Sequence, residues 1–434
     1  MLANPFIYGN PVTPADFIGR RKEVRRIVSR LVNKGQSTAI IGDPHVGKTS
    51  LLAYLAHPAT RCELYGADTD QWHFAQVDIQ LLGSEFTPAQ FWELALAPLQ
   101  QHFEQDANDA LLAKQYAICA ESHFGNPTLE NFFSLLKQAQ QRLILVIDEF
   151  DVLLNHPVLN KAEFYSGQRS LSSRSEGAFA MLIASRLPLA QLNTTTQPFK
   201  AAGSPFFNFF AELTLGALAD EEVAQLLARA GDRFTASDQQ IIRALAGSHP
   251  YLLQAAAAAL WDAYKEEKMI HTEAIRRYVA TRLYRKFDSF FSDTWQVWSP
   301  EMRKAFAAIA LAHQATLLPE TTFRLSALLK DFHYLGPETG DLEERGLIVK
   351  DARFETGYRI SAGILLAWLA DEMVKVLRTD QPFDKWLQEN HIDGAFPSAR
   401  EKNAFKKAVT VVAKALGPGA TAIIEALAKK AIGM

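Results

Sequence analysis

The sequence predicts an α/β fold, a parallel and doubly wound sheet, that gives way to an all-helical C-terminal half. Three observations carry this. Residues 143–147 and 178–184 are apolar runs without polar interruption, the pattern of strands buried on both faces. Residues 37–41 lead straight into a glycine-bearing loop and then a helix, and strands that alternate with helical patterns indicate a parallel sheet. From Asp220 onward the strand signals cease, one hairpin excepted, and helix caps and stops follow one another.

Residues 1–19 read as loop, with Pro5, Gly9, Pro11 and Pro14, and a helix over 21–33 places Val24, Ile27, Val28 and Leu31 on one face. The first strand is 37–41. A second, 73–79, alternates in polarity, and 86–140 carries helical patterns around Phe91, Trp92, Leu96, Leu99, Leu129, Phe132, Phe133 and Leu136. After the strand at 143–147, residues 152–172 are helix or loop, and the strand at 178–184 ends at Ser185-Arg186. In the second half, Asp220 caps a helix over 221–230. Thr235 and Asp238 form a capping box for a helix that Gly247 stops, and Pro250 opens a long helix to Lys265. A helix that ends at Gly346, strands at 347–349 and 358–360, and a turn at 355–357 make the pattern of a winged helix.

At 434 residues the chain is too long for one core, so about two to four domains are expected. The net charge of −3, from 45 basic and 48 acidic residues, gives no global field that would mark nucleic acid or membrane as the main partner. Cys62 and Cys119 have neither metal-ligand spacing nor a disulfide framework, so a reducing cytoplasm is the expected location. The N-terminus lacks the basic segment and apolar run of a secretory signal, and no stretch reaches the ~18 apolar residues of a spanning helix.

The chemistry concentrates at two strand ends. Residues 38–49 read Thr-Ala-Ile-Ile-Gly-Asp-Pro-His-Val-Gly-Lys-Thr. Gly42 and Gly47 allow a tight loop whose amides, through Asp43, Pro44, His45 and Val46, enclose phosphate oxygens. Lys48 sets a point charge on the outer phosphates, the Thr49 hydroxyl is a Mg²⁺ ligand, and Ser50 begins the helix whose positive dipole end completes the cradle. The second end is Ile147-Asp148-Glu149, with Asp148 a partner for the metal and Glu149 a general base for an attacking water. The bland alternative is a core strand beside an ordinary acidic pair. ATP or ADP with Mg²⁺ is the cofactor set that these residues call for.

With these motifs in order, the chain resembles the STAND class of ATPases, which belongs to the ASCE division of P-loop NTPases and is related to the apoptotic, NACHT and origin-recognition-like ATPases. The resemblance covers roughly residues 3–378. It rests on Phe-Ile-Gly-Arg-x-x-Glu at 17–23, the glycine loop, Ile-Asp-Glu-Phe-Asp at 147–151, Ala-Ser-Arg at 184–186 and Gly-Ser-His-Pro at 247–250. It implies an ATPase domain over 1–205, a helical lid over 206–270, a winged-helix domain over 271–378 and a C-terminal helical module over 379–434. It also implies slow ATP hydrolysis, nucleotide-controlled self-association in the ATP state, and an effector or sensor protein as partner. An ATP-dependent DNA-binding initiator of the origin-recognition type is the alternative.

The resemblance assigns Ile18, Gly19 and Arg20 to the adenine; a helix-start salt bridge to Glu23 is the other reading of Arg20. It assigns Arg186 to sensing the γ-phosphate, against a plain surface arginine. Pro250 approaches the nucleotide in the family, but the Gly-to-Pro spacing here is one residue longer than the commonest form. That leaves Pro250 as a mere helix start and His249 as the contact. His45 stands where similar sequences often carry arginine; it either weakens an extra phosphate clamp or faces solvent without effect. A neighbouring subunit's arginine finger has candidates in Arg169 and Arg174.

Acidic residues Asp341, Glu343, Glu344, Asp351 and Glu355 around the hairpin oppose a DNA-reading role. Arg276, Arg277, Arg282, Arg285 and Lys286 stand out as the one sizeable basic cluster. In the tail, Phe405, Val409, Val412 and Leu416 form one apolar stripe, and Ile423, Ile424, Leu427 and Ile432 a second beside Lys429 and Lys430. This reads either as a helical hairpin that pairs with copies of itself or lies on a membrane upon activation, or as a two-helix cap docked on the core.

Overall fold

The computed structural model describes residues 3–66, 69, 71–105, 109–199, 205–266, 272–317, 336–378, 383–416, 423–424 and 426–427. The chain divides into two compact units: residues 11–42 with 47–215, and residues 1–10, 43–46 and 216–434.

The first unit is built on five parallel strands, β1 (Thr38–Ile41), β2 (Trp72–Asp78), β3 (Arg142–Asp148), β4 (Phe179–Ser185) and β5 (Ala211–Thr214), in the order β2-β3-β4-β1-β5. Every residue of β1 and β4 is buried, as are Leu143 to Ile147 of β3. The uninterrupted apolar runs exist because helices cover the sheet on both faces. Helix α1 (Arg21–Lys34) buries Ile27 and Leu31, and α2 (Lys48–Ala56) follows the glycine loop. Helices α3 (Pro88–Gln105), α4 (Asn126–Gln138) and α5 (Ala162–Arg174) supply an aromatic core. In it Phe91 meets Phe164 edge-on at 5.0 Å, and Trp92 packs against Phe133 and Phe179. Each such ring, fully buried, contributes about 2 kcal/mol.

β4 lies between β1 and β3, so the acidic strand end stands one strand away from the glycine loop. One element differs from the sequence pattern. β5 is unmarked in the sequence because Ala-Glu-Leu-Thr is short and polar, yet it pairs with β1 along its whole length.

In the second unit, helix Asp220–Leu227 starts one residue earlier than its expected cap. Ala219 holds the cap position, with its N–H donating to Glu222 Oε2 at 3.0 Å, and the helix gives way to a 3₁₀ segment after Leu227. The expected capping box is present in α6 (Ala236–Ala246): Thr235 N–H donates to Asp238 Oδ2 at 2.8 Å and Asp238 N–H to Thr235 Oγ1 at 3.2 Å. Asp238 also accepts from Tyr264 and, at 2.8 Å, from Arg276 Nε, so its buried charge is fully compensated. Then follow α7 (Pro250–Glu266), α8 (Glu273–Lys286), α9 (Pro300–Ala315), α10 (Gly336–Glu344), the antiparallel pair β6 (Ile348–Lys350) and β7 (Tyr358–Ile360), α11 (Gly363–Arg378) and α12 (Ala399–Leu416).

The described part of the tail is docked. Phe405, Val409 and Val412 of α12 are buried, as are Ile423, Ile424 and Leu427. Lys304 on α9 pairs with Glu401 on α12 at 3.1 Å, with both groups buried. A Cβ added at Gly363 would meet Leu427 Cδ1 at 2.4 Å, so α11 and the tail approach as closely as glycine permits. In this structure the described part of both stripes is buried, the arrangement that the docked two-helix reading expects. The side chain of Leu416 and residues 417–422, 428–434, including Lys429, Lys430 and Ile432, lie outside the described residues. Among the described residues no helix is long and apolar enough to cross a membrane.

Candidate active site at the glycine loop and the acidic strand end

The flanks of the loop belong to the sheet unit. Gly42 continues β1 by donating its N–H to the Ser185 carbonyl at 3.2 Å. Gly47 takes φ 102°, and a Cβ there would meet nothing within 4 Å. Glycine is required by the backbone angle, not by space. Gly47 leads into α2, whose first residue, Lys48, is 7% exposed and donates from Nζ to the Gly42 carbonyl at 2.9 Å. Thr49 stands exposed on the same turn. Ser50 is engaged elsewhere, its Oγ accepting the Val12 N–H at 3.1 Å.

Residues 43–46, the apex of the loop, group with the helical unit. Asp43 is buried and accepts from Arg345 Nη1 at 2.6 Å and from Trp298 Nε1 at 3.2 Å. Gly216 and Gly346 make this possible. A Cβ at Gly216 would lie 2.1 Å from the Glu344 carbonyl, and one at Gly346, at φ 75°, would lie 2.2 Å from Ala217 Cβ. Only glycines let these two backbones meet and bring Arg345 to its place. His45, at φ 58°, is exposed and stacks on Tyr251 with ring centroids 4.6 Å apart. Tyr251 follows Pro250, which opens α7. His249 meets Phe290 edge-on at 5.6 Å. Pro44 is half-buried and Val46 buried.

The second strand end gathers four charged groups. β3 ends at Asp148, whose Oδ1 accepts the Glu149 N–H at 3.0 Å. Glu149 takes φ 50°, ψ 43°, a left-handed conformation that costs a non-glycine residue about 1 kcal/mol. Its Oε2 is buried without a hydrogen bond, and the nearest cation, Arg186 Nε, lies at 3.7 Å. Burial raises the Glu149 pKa above its ordinary value; Arg186 opposes, Asp151 adds, Lys48 opposes and Asp148 adds. Lys48 and the acidic end thus share one field. Arg186, at the end of β4, donates from its backbone N–H and Nε to Asp151 at 3.0 and 2.9 Å. Asp151 is the residue that sequence reasoning passed over, although it stands within the quoted Ile-Asp-Glu-Phe-Asp motif.

The remaining candidates are local. Gly19 and Arg20 have φ of 76° and 61° and turn the chain into α1, after a half-buried Ile18. Arg20 is buried, 3.7 Å from Glu23 Oε1, so the helix-start salt bridge is present. Arg169 donates to the Pro205 carbonyl at 3.2 Å and Arg174 pairs with Glu130 at 3.0 Å. Among the described residues no cluster of three or more His, Cys, Asp or Glu side chains is suited to a metal. A magnesium ion here would rest on Thr49 and Asp148, with phosphate and water as its other ligands, which is how that ion is ordinarily held.

A family model described as an AAA-like domain matches residues 10–328. The chain belongs to this AAA-like family. Its fold is that of the Walker-type ATPase of Pyrococcus abyssi, with a TM-score of 0.50 at 14% identity over 84% of this chain and 99% of that one. The ORC2 protein of Aeropyrum pernix, solved as ADPNP–ADP complexes, aligns at 14% identity over 88% of the AAA-like chain and 96% of its own, with a TM-score of 0.46. No curated protein matches the chain. The five-stranded parallel sheet with its glycine loop is a P-loop ATPase fold.

Proposed function

We propose that this AAA-like protein is an ATP-binding and slowly hydrolysing switch of the STAND type, in which nucleotide state controls self-assembly in signalling. The observation that carries the catalytic part is Glu149: a carboxylate at the end of β3, its pKa raised by burial, one oxygen without a hydrogen bond, in the field of Lys48. A base poised in this way accepts a proton from water as that water's oxygen bonds to the γ-phosphorus and the bond to the ADP oxygen breaks. Lys48 leaves the Gly42 carbonyl for the phosphates, and Arg186 exchanges Asp151 for the γ-phosphate when a triphosphate is present. Thr49 and Asp148 would hold magnesium, which when bound supplies charge stabilisation on the outer phosphates. Segments 206–270 and 271–378 are assigned as lid and winged helix, and Ile18, Gly19, Arg20 and Pro250 as the nucleoside side of the pocket.

Glu149→Gln is the test. It should leave ATP binding intact, lower turnover about 100-fold or more, and raise the mass measured in ATP relative to ADP. Unchanged turnover would refute the assigned base. A mass that is identical in ADP and in a non-hydrolysable ATP analogue would refute the switch while leaving the ATPase standing.

A further inference from the structure

Helix α1 (Arg21–Lys34) carries Arg21, Lys22, Arg25, Arg26, Arg30 and Lys34 against a single acid, Glu23, in a chain whose net charge is −3. Glu23 lies beside Arg20. Arg21, Lys22, Arg25, Arg26 and Lys34 are exposed, and none of them makes an ion pair with a described residue. Four-residue spacing stacks Arg21 over Arg25 and Lys22 over Arg26 in rows about 6 Å apart. The same face continues through Ser29 and Asn33, which are exposed and bonded to each other at 3.1 Å. Arg30 is anchored on the Ala211 carbonyl at 3.2 Å, and its pKa is lowered by burial and then by Arg26, a sign of like charges left uncompensated.

The cluster on α8, which the sequence singles out, differs. There Arg276 is held by Asp238, Arg277 by Glu273 and Lys286 by the Tyr8 hydroxyl, leaving Arg282 and Arg285 exposed.

We propose that the exposed face of α1 binds the phosphodiester backbone of a nucleic-acid duplex, independently of sequence. Guanidinium rows interleaved with a hydroxyl and an amide are the donor set that phosphate backbones take. A lipid surface fits less well, because Ile27 and Leu31 of α1 are buried, Val24 and Val28 are half-buried, and Val32 alone is exposed, too little apolar surface to insert. The proposal does not rest on the ATPase reading.

The experiment is fluorescence anisotropy of the full chain against a labelled mixed-sequence DNA duplex of about 20 base pairs, without nucleotide. Four phosphate contacts predict a log–log salt slope of about −3.6, or about 100-fold weaker binding between roughly 50 and 200 mM salt. The combined Arg21→Gln, Lys22→Gln, Arg25→Gln and Arg26→Gln variant should lose binding with unchanged melting, whereas Arg21→Lys, Arg25→Lys and Arg26→Lys together should keep the slope. The proposal fails if the wild type does not bind at the low salt, or if the glutamine variant retains the slope. It also fails if phosphatidylserine vesicles are bound and the duplex is not.

Discussion

Lys48 and Asp43 stand five residues apart in the same loop, yet they are held by different kinds of contact. Lys48 reaches a carbonyl six residues away, Gly42, through a bond that any tight glycine loop makes. Asp43 is bonded to Trp298 and Arg345, 255 and 302 residues along the chain. The flank is shaped by local backbone, with glycine at the angle that needs it. The apex is shaped by side chains from the helical unit, to which residues 43–46 belong. Under the proposed function the flank meets the phosphates, whereas the apex is held by Trp298 and Arg345.

The largest break in that division comes from Lys48→Ala. Loss of a charge-assisted contact to phosphate should weaken ATP by about 100-fold or more in a titration with fluorescent nucleotide. If affinity survives, the flank is not the binding element. Arg345→Ala should act on stability instead. It removes the Arg345 guanidinium from the Asp43 carboxylate, which is 4% exposed, and breaking a buried pair from one side costs about 3 kcal/mol. Calorimetric melting of Arg345→Ala, Asp43→Asn and the double variant forms a cycle in which the double should regain most of the loss. An Arg345→Ala protein that melts like the wild type would show that the apex is held by something else.

The same contrast explains how much could be read from the sequence. β1, β3 and β4 were legible because each is a solid apolar run between two helical layers. The position of Lys48, Thr49, Asp148 and Glu149 beside strand ends was legible because their spacing to those strands is local. β5 was not, since a four-residue strand with Glu212 carries no period that stands out. Nor were Arg345 and Trp298, whose meeting with Asp43 depends on Gly216 and Gly346 letting two distant backbones touch. Asp151 lay in plain view but was indistinguishable from a surface acid until Arg186 was seen against it. The basic run of α1 was passed over for the opposite reason. Its meaning lies in the carboxylates that are missing around it in space, and a list of neighbours in sequence cannot show that.

The smallest expected effect tests whether Arg186 tunes the base. Glu149 is raised by burial and Arg186 is the strongest influence in the other direction. Its guanidinium favours the ionised carboxylate, so Arg186→Gln should raise the Glu149 pKa further. A general base works in its deprotonated form, so the acid limb of kcat/KM should move to higher pH in Arg186→Gln. Asp151, no longer paired, adds negative charge and pushes the limb the same way. Arg186→Lys, which keeps the charge but not the planar fork, should return the limb toward its original position. The position of the limb is the informative quantity, because a loss of phosphate sensing lowers the whole profile without moving it. A limb that stays in place in Arg186→Gln would separate Arg186 from the base and leave its pairing with Asp151 as a structural contact.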